Sequence, residues 1–408
     1  MKSSTIFLAG LLLLALTHFS NAQTPFIGVK VTSVTDTLRG SVGEVERDVV
    51  GNLFVADFAE RVWKISPSGE LSVFANTMYG SSGNTLDSRG HLYQSQFYGN
   101  SIVQINRYNG EITEVAHDGL AGPVGITFKG KDLYVCNCNN NTIGRVREGE
   151  TKAEVFAQSS LLNCPNGIIS GRDGNIYVVN FNDPNVVRID TAGNASVFVK
   201  LPAQTGGHIA EYRGNYYITS FSSHKIFKVS FDGKITAFAG TGTPGIKNGE
   251  GSQAQFSFPN GIAVGTGGLY VNDLLGRGTP NPRTVVRKVA FPDFSAMLTQ
   301  SLQSGGLPAV EKVYREYKAH PLFKNDNTEA EMNFYAYGAM NRGQVDVAIG
   351  LFQLNTESYP QSFNAWDSLA EGYMVKGDKK NARKYYKKSL ELNPQNTNAT
   401  DKLKELGK

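Results

Sequence analysis

Three oxygen-bearing side chains and one imidazole stand at related places in a repeated pattern, and their types could do chemistry together. Glu44, Asn166 and Asn260 lie nine or ten residues ahead of the same position in three copies of a repeated segment, and His208 lies eight ahead of it in another copy. Carboxylate and amide oxygens are the ligands that a hard cation such as calcium prefers. Imidazole titrates near neutral pH and can act as a general base. The pattern predicts a metal site at Glu44, Asn166 and Asn260, with His208 as the candidate catalytic residue.

A second set of polar residues follows the same position by four residues in all six copies. Its members are Asp57, Gln96, Asn137, Asn180, Ser220 and Asp273. A polar ring of this kind is a candidate ligand site, with Asp57, Asn137, Asn180 and Asp273 as its binding residues. Short polar side chains at strand ends also bond the backbone of the following turn, and that need recurs in every copy. Both interpretations are open from the sequence.

A repeat of about 40 residues must position these side chains. Its most recognisable segments are GNLFVADF, GHLYQSQF, KDLYVCNC, GNIYVVNF, GNYYITSF and GGLYVNDL, beginning at residues 51, 90, 131, 174, 214 and 267. Alternating apolar segments around each copy predict four β-strands joined by tight turns. Four strands in about 40 residues make one propeller blade. The predicted fold class is therefore mainly β, a six-bladed β-propeller followed by a small all-α domain.

The ends of the repeat predict how the ring closes. The sixth copy lacks a fourth strand, and a spare strand precedes the first copy at Ile27–Val34. If the N-terminal strand pairs with the third strand of the last blade, it covers a sheet edge that would otherwise be unpaired. In such a ring the starts of the inner strands and the ends of the second strands meet at one mouth, so both polar sets should surround one funnel.

The three cysteines fit the same arrangement. Cys136 and Cys138 flank one residue without further cysteines or histidines at ligand spacing, so a structural role is favoured over zinc. They occupy alternate positions of one strand, so Cys164 can bond to only one of them. Cys138 and Cys164 both fall at the predicted mouth, in adjacent blades, which predicts a disulfide between them.

The chain resembles the NHL repeat family over roughly residues 27–290. AGTGTPGIKNGEGSQAQFSFPNGIAV at 239–264, followed by GGLYVND, is similar to an NHL unit. The PNG start of the inner strand is similar to that of the regucalcin/gluconolactonase propellers. The resemblance is specific for a six-bladed architecture and much less specific for activity.

The gluconolactonase resemblance also implies a metal. Those enzymes hold it with Glu, Asn, Asn and Asp at successive inner positions, and Glu44 and Asn166 match two of the four. Val124 replaces the other amide, and Gly207 with His208 replaces the Asp used for acid–base work. The resemblance therefore implies calcium or another divalent metal as a cofactor. The missing Asp argues against lactone hydrolysis by the family's route.

Helical periodicity follows residue 293, with a second repeat. Gly343, Ala348, Phe352 and Pro360 recur 34 residues later as Gly377, Ala382, Tyr386 and Pro394. This period resembles the tetratricopeptide repeat (TPR) and predicts a domain that binds a protein or peptide partner. The alternative is a tail that packs on the propeller or caps itself.

The N-terminus predicts export. Lys2, the apolar run Ile6–Leu16 and the small residues before Gln23 are typical of a secretory signal peptide. The run is too short to favour a membrane span. The chain is thus divided into a signal peptide over 1–22, a propeller over 23–292 and a TPR-like domain over 293–408. We expect a periplasmic or extracellular protein without a membrane span after cleavage near Ala22.

The composition and the absence of several catalytic motifs reduce the number of function classes to consider. The net charge of +4 is too small to indicate nucleic-acid binding. No GxSxG elbow, phosphate-binding glycine loop, HExxH or Rossmann fingerprint occurs, which gives no support to a nucleotide cofactor. Three hypotheses remain. One is an exported binding protein that takes a small molecule or polypeptide in the funnel and a protein partner on the helices. The second is a calcium-dependent lactonase or esterase, and the third is a purely structural envelope protein.

Overall fold

The computed structural model describes residues 27–35, 38–76 and 78–407, so the predicted signal peptide lies outside it. The described chain forms two compact units, one of Ile27–Asp293 with His320–Asp326 and one of Phe294–Ala319 with Asn327–Lys408. The sequence analysis placed His320–Asp326 in the helical domain. The segment belongs to the propeller unit, because Lys228 donates to the Leu322 carbonyl and lies 3.6 Å from the Asp326 carboxylate.

In the described chain, blades one to five are four-stranded antiparallel sheets. From inner to outer strand, blade one is Val45–Arg47, Leu53–Ala56, Val62–Ile65 and Leu71–Ala75, and blade two is Ser81–Leu86, Leu92–Gln96, Ser101–Ile105 and Ile112–Ala116. Blade three is Pro123–Lys129, Asp132–Asn137, Thr142–Val146 and Ala153–Gln158. Blade four is Pro165–Ser170, Ile176–Asn180, Asn185–Ile189 and Ala195–Lys200, and blade five is Ile209–Tyr212, Asn215–Ser220, Lys225–Ser230 and Ile235–Ala239.

Blade six confirms the predicted closure. Its first three strands are Pro259–Gly265, Gly268–Leu275 and Arg283–Ala290, and the fourth is the N-terminal strand Lys30–Ser33. Lys30 pairs with Ala290 and Ser33 with Arg287, in antiparallel register. Two short strands extend the sheet, Gly249–Glu250 beside the N-terminal strand and Leu38–Arg39 beside the third strand.

The apolar core lies between adjacent blades. Ile143 of blade three packs in one buried cluster with Ile168, Val178 and Val187 of blade four. Alternation along each strand places such residues on the faces that meet neighbouring blades. Each blade thus needs its neighbours to bury its faces, which holds the inner strands in place around the ring.

The second unit is helical. Its described elements are α1 Phe294–Ala319, α2 Glu329–Asn341, α3 Val345–Ser358, α4 Phe363–Lys376, α5 Lys379–Leu392 and α6 Thr397–Gly407. α1 is broken at Gly306, whose φ of 62° and ψ of −153° suit only glycine. Gly377, in a left-handed conformation, ends α4, and the Asp378 side chain accepts from the Asn381 N–H to begin α5. These helices confirm the predicted TPR-like architecture. Among the described residues, no helix combines the length and apolarity needed to cross a bilayer.

Candidate functional site

The pairing register between the inner and second strands shows which residues of the six blades are equivalent. Pairing with the second strands aligns Val45, Asn84, Ile126, Ile168, Ile209 and Ile262. The residue before each is Glu44, Gly83, Gly125, Gly167, His208 and Gly261. Four blades therefore carry glycine where blades one and five carry the two ionisable side chains. Glu44, Asn166 and Asn260 were predicted to be equivalent, but the two asparagines lie one position earlier. The prediction counted ten residues back in blade four, and in blade six the turn after the inner strand is one residue shorter than in blade one, since Val264 pairs with Leu269 whereas Arg47 pairs with Leu53.

Glu44 and His208 meet in the centre of this arrangement. The Nδ1 atom of His208 lies 3.0 Å from Oε1 of Glu44, and the side chains are 1% and 12% exposed. The other carboxylate oxygen of Glu44 accepts from the Asn84 backbone N–H at 3.0 Å. A Cβ atom on Gly261 would come within 2.8 Å of the Glu44 Cα, and one on Gly167 within 2.6 Å of the His208 Cα. Glycine in the neighbouring blades therefore leaves room for these two backbones.

The imidazole of His208 is buried without a satisfied polar contact. Among the described residues, neither ring nitrogen has a hydrogen-bond partner in aligned geometry. The 3.0 Å approach of Glu44 is therefore a charge contact that operates only when His208 is protonated. A buried polar atom without a partner is costly, so such an atom marks a place where water or a ligand bonds.

Asn166 and Asn260 flank the pair. The Asn166 amide donates to the Gly207 carbonyl at 3.1 Å, and the Asn260 amide donates to the Gly43 carbonyl at 2.9 Å. The Asn166 nitrogen also lies 3.5 Å from the Asn260 Oδ1 atom. Each asparagine thus bonds the residue just before His208 or Glu44. The structure brings all four predicted residues to one place, with the amide nitrogens bridging blades.

This donor set does not fit calcium well. Both oxygens of Glu44 already face a donor or the imidazole, and Glu44 is the one carboxylate among the predicted ligands. Calcium takes six to eight oxygens at about 2.3–2.6 Å. Within the part of the chain that the structure describes, no group of three His, Cys, Asp or Glu side chains is placed to hold a metal ion.

Glu46 is a functional candidate that the sequence analysis missed. It lies two residues after Glu44 on the blade-one inner strand, and alternation gives both the same face. Burial raises the pKa of Glu46 from about 4.5 to about 8, and the nearby charge of Glu44 adds to the rise, whereas a bond from the Arg47 N–H opposes it. Glu46 is therefore largely protonated at neutral pH. The ExE spacing on a predicted strand was the available signal.

The ring at the second-strand ends bonds backbone in every blade. Asn137 accepts from the Ala121 N–H, and Asn180 accepts from the Asn163 N–H. Three other members accept from backbone N–H groups: Asp57 from Ala59 and Arg61, Gln96 from Tyr79, and Asp273 from Ser257 and Phe258. The Ser220 hydroxyl donates to the Thr205 carbonyl.

These contacts match the structural interpretation of the ring. In blades two to six, the side chain of the ring bonds the loop that leads into the inner strand of its own blade. In blade one, Asp57 instead bonds the turn that follows Asp57 in the sequence. Asp57, Asn137, Asn180 and Asp273 each bond backbone groups of these loops, which accounts for their buried positions without a bound ligand.

Cys138 and Cys164 form a disulfide between blades three and four. The equivalent residues of blades five and six are Phe221 and Phe258, whose rings lie 5.1 Å apart. The disulfide thus occupies a place that an aromatic contact fills elsewhere in the ring. Cys136 is a buried free thiol, and burial raises its pKa well above the usual range.

Comparisons with known proteins place the chain by architecture. The tetratricopeptide repeat model matches residues 363–396. A solved protein of unknown function from Bacteroides thetaiotaomicron is 16% identical over 64% of this chain and 76% of that one, with a TM-score of 0.54. An auxiliary nutrient binding protein from Bacteroides ovatus is 14% identical over 64% and 77%, with a TM-score of 0.53.

A gluconolactonase from Xanthomonas campestris is 12% identical over 67% of this chain and 93% of that one, with a TM-score of 0.51. No curated protein sequence matches significantly. Likeness at these identities shows the fold alone. The chain is a six-bladed β-propeller followed by a helical region that contains a tetratricopeptide repeat.

Proposed function

We propose that the protein is an exported binding protein whose propeller holds a small polar ligand beside Glu44 and His208, and whose helical unit contacts a protein partner. The observation that carries the first part is the unpartnered imidazole of His208, 1% exposed and 3.0 Å from a carboxylate. The tetratricopeptide match supports the second part, because stacked helix pairs commonly bind polypeptides.

The polar set around His208 suits a hydroxylated ligand or a polar side chain of a polypeptide. A hydroxyl group donates to a carboxylate or accepts from an imidazole, so several hydroxyls can satisfy the Glu44 and His208 atoms together. Because His208 is enclosed, contact with it would be dry and each bond would contribute more than at a surface.

Binding is tested by calorimetry and thermal shift with a panel of monosaccharides, sugar acids and free amino acids. We expect at least one class to bind the wild type and to bind His208→Gln about tenfold more weakly. His117→Gln is the matched control, because His117 is half exposed in the segment between blades two and three. Failure of the whole panel, or equal affinity of the His208 variant, would contradict the proposal.

A second candidate function is hydrolysis of a lactone or ester by side chains of the same strand. In this step the oxygen of a water molecule attacks the acyl carbon while Glu44 accepts a proton from that water. Glu46, largely protonated at neutral pH, donates its proton to the leaving oxygen as the acyl–oxygen bond breaks. His208, at 3.0 Å from Glu44, would position that carboxylate for the proton transfer.

Turnover is measured on aldonolactones and aryl esters, with and without chelator. Hydrolysis by this route predicts that Glu46→Gln and Glu44→Gln each lower kcat by about a hundredfold or more, without any effect of chelator. Glu148→Gln, an exposed carboxylate on blade three, is the control. Chelator-sensitive turnover would instead favour the calcium-dependent alternative, and no turnover on any substrate would remove the enzyme hypothesis.

A further inference from the structure

Positive charge is concentrated at the C-terminal end of the chain. Residues 378–408 contain nine Lys and Arg against four Asp and Glu, whereas the rest of the chain contains 31 against 32. The net charge of the protein therefore comes from this end. Within it, α5 alone carries six basic residues and one acidic residue.

A groove of about 570 Å³ lies beside α5, between α3 and α4. Thr356 of α3, Trp366 and Leu369 of α4, and Lys384 and Lys388 of α5 line it, together with Tyr385. A concave site that combines aromatic and charged groups is suited to an extended chain, whereas a flat basic face is suited to a lipid surface.

Aromatic rings form one wall of the groove. Trp366 stacks on Tyr385 with ring centroids 5.7 Å apart, and Tyr373 also stacks on Tyr385, with centroids 5.4 Å apart. The Trp366 indole donates to the Pro360 carbonyl at 2.9 Å, which fixes its orientation. These half-buried rings present a rigid surface on which a planar side chain can stack.

The acidic residues of the groove are already paired. Glu357 lies 2.8 Å from Arg315, and Glu391 lies 2.9 Å from Lys388. The Lys384 ammonium lies 4.9 Å from the centre of the Tyr385 ring, and within the described chain it forms no ion pair. The groove therefore keeps an uncompensated cation beside its aromatic wall, and the further positive charge of α5 surrounds it.

We infer that this groove binds an acidic segment of a protein partner that carries an aromatic residue among its carboxylates. The inference deepens the part of the proposed function that gives the helical unit a protein partner, and it names the partner's chemistry and the face that it contacts. Carboxylates of the segment pair with Lys384 and with the basic edge of α5. Its aromatic residue packs on Trp366 and Tyr385, where desolvation strengthens the charge contacts.

The test uses the full chain and a fluorescein-labelled peptide of alternating Glu and Tyr, followed by fluorescence anisotropy. We expect binding that weakens as salt rises, because exposed charge contacts are screened. The double variant Lys384→Gln, Lys388→Gln should weaken binding by about tenfold. Part of that loss arises because Glu391 loses its partner and then repels the peptide.

The matched control is the double variant Lys379→Gln, Lys387→Gln. It removes the same charge from the same helix, but neither residue lines the groove. We expect its affinity to stay within about twofold of the wild type, since only long-range attraction is lost.

Equal losses in the two double variants, or no binding of the Glu–Tyr peptide, would overturn the inference. So would tighter binding to phosphatidylglycerol vesicles or to heparin with the same dependence on Lys384 and Lys388, which would identify a lipid or glycan ligand. None of these results bears on ligand binding at His208. A defined protein partner that binds equally well to both double variants would keep the proposed function and place the contact on another face.

Discussion

The Nδ1 atom of His208 lies 3.0 Å from the Oε1 atom of Glu44, although the two residues belong to blades one and five. Blade six stands between these blades and contributes glycine at the equivalent position, Gly261. The contact depends on a propeller ring in which every inner strand converges on one centre. The same ring encloses the carboxylate–imidazole pair at a position where the other four blades have glycine.

Calcium should have little effect on stability. Because Glu44 is the one carboxylate among the predicted ligands and one of its oxygens already accepts from the Asn84 N–H, millimolar calcium should change the melting temperature by no more than about 1 °C. Differential scanning fluorimetry with calcium and with chelator measures this. A larger calcium-dependent rise that disappears in Glu44→Gln would reinstate the metal site predicted at Glu44, Asn166 and Asn260.

Glu46 should make the protein less stable as pH rises. Its pKa is about 8 in the folded state against about 4.5 ordinarily, so between these values the folded state holds a proton that the unfolded chain has released. The free energy of unfolding therefore falls from about pH 5 to pH 8 and then levels off. Glu46→Gln should remove on the order of 1–3 kcal/mol of this fall. Urea unfolding at four pH values measures it, with Glu148→Gln as the control; an unchanged slope would contradict the assigned pKa.

Arg287 should be essential for blade six. Its guanidinium lies 3.4 Å from Asp273, and both side chains are fully buried. It also donates to the Gln255 and Lys247 carbonyls, which holds the long insertion before the inner strand. Arg287→Met should cost about 3–5 kcal/mol, because it leaves the Asp273 carboxylate buried without a counter-charge. Chemical denaturation gives the value. Adding Asp273→Asn should recover part of the loss, and a single variant as stable as wild type would refute this account.

The cysteines should differ sharply in reactivity. Under nonreducing conditions, alkylation of the denatured protein should modify Cys136 alone, and the native protein should resist modification because that thiol is buried. Cys138→Ser with Cys164→Ser should lower the free energy of unfolding by about 2–4 kcal/mol, since the closed loop restricts the unfolded chain. Peptide mapping that finds three free thiols would contradict the disulfide. Cys136→Ser is the control, because it removes a thiol and leaves the disulfide intact.

Removing residues 23–38 should weaken the whole ring. The deletion takes away Lys30–Ser33, which pairs with Arg283–Ala290, and leaves an open edge on blade six. We expect a lower melting temperature and a broader transition for the propeller, measured by calorimetry. Deleting residues 397–408, which include α6, is the control for a truncation elsewhere. An unchanged propeller transition in the shorter chain would mean that blade six closes without its N-terminal strand.

Much of the fold was predictable because its signals are local. Six copies of one strand segment define the number of blades, and the missing fourth strand of the last copy defines the closure through Lys30–Ser33. The 34-residue spacing of Gly343 and Gly377 likewise defines the helix pairs. Alternation and helical period depend on neighbouring residues alone, so they can be read without knowing the tertiary structure. The candidate disulfide followed from two strand ends at one mouth.

Only the tertiary structure decided which side chains meet. Asn166 and Asn260 lie one position before the residues equivalent to Glu44 and His208. The turns after the inner strands differ by one residue between blades, so only the strand pairing shows which residues are equivalent. The raised pKa of Glu46 and the unpartnered state of His208 likewise depend on what surrounds them. Burial and contact between distant strands are properties of the assembled ring. The sequence by itself therefore determined the blades, and the packing of the blades decided the chemistry at their centre.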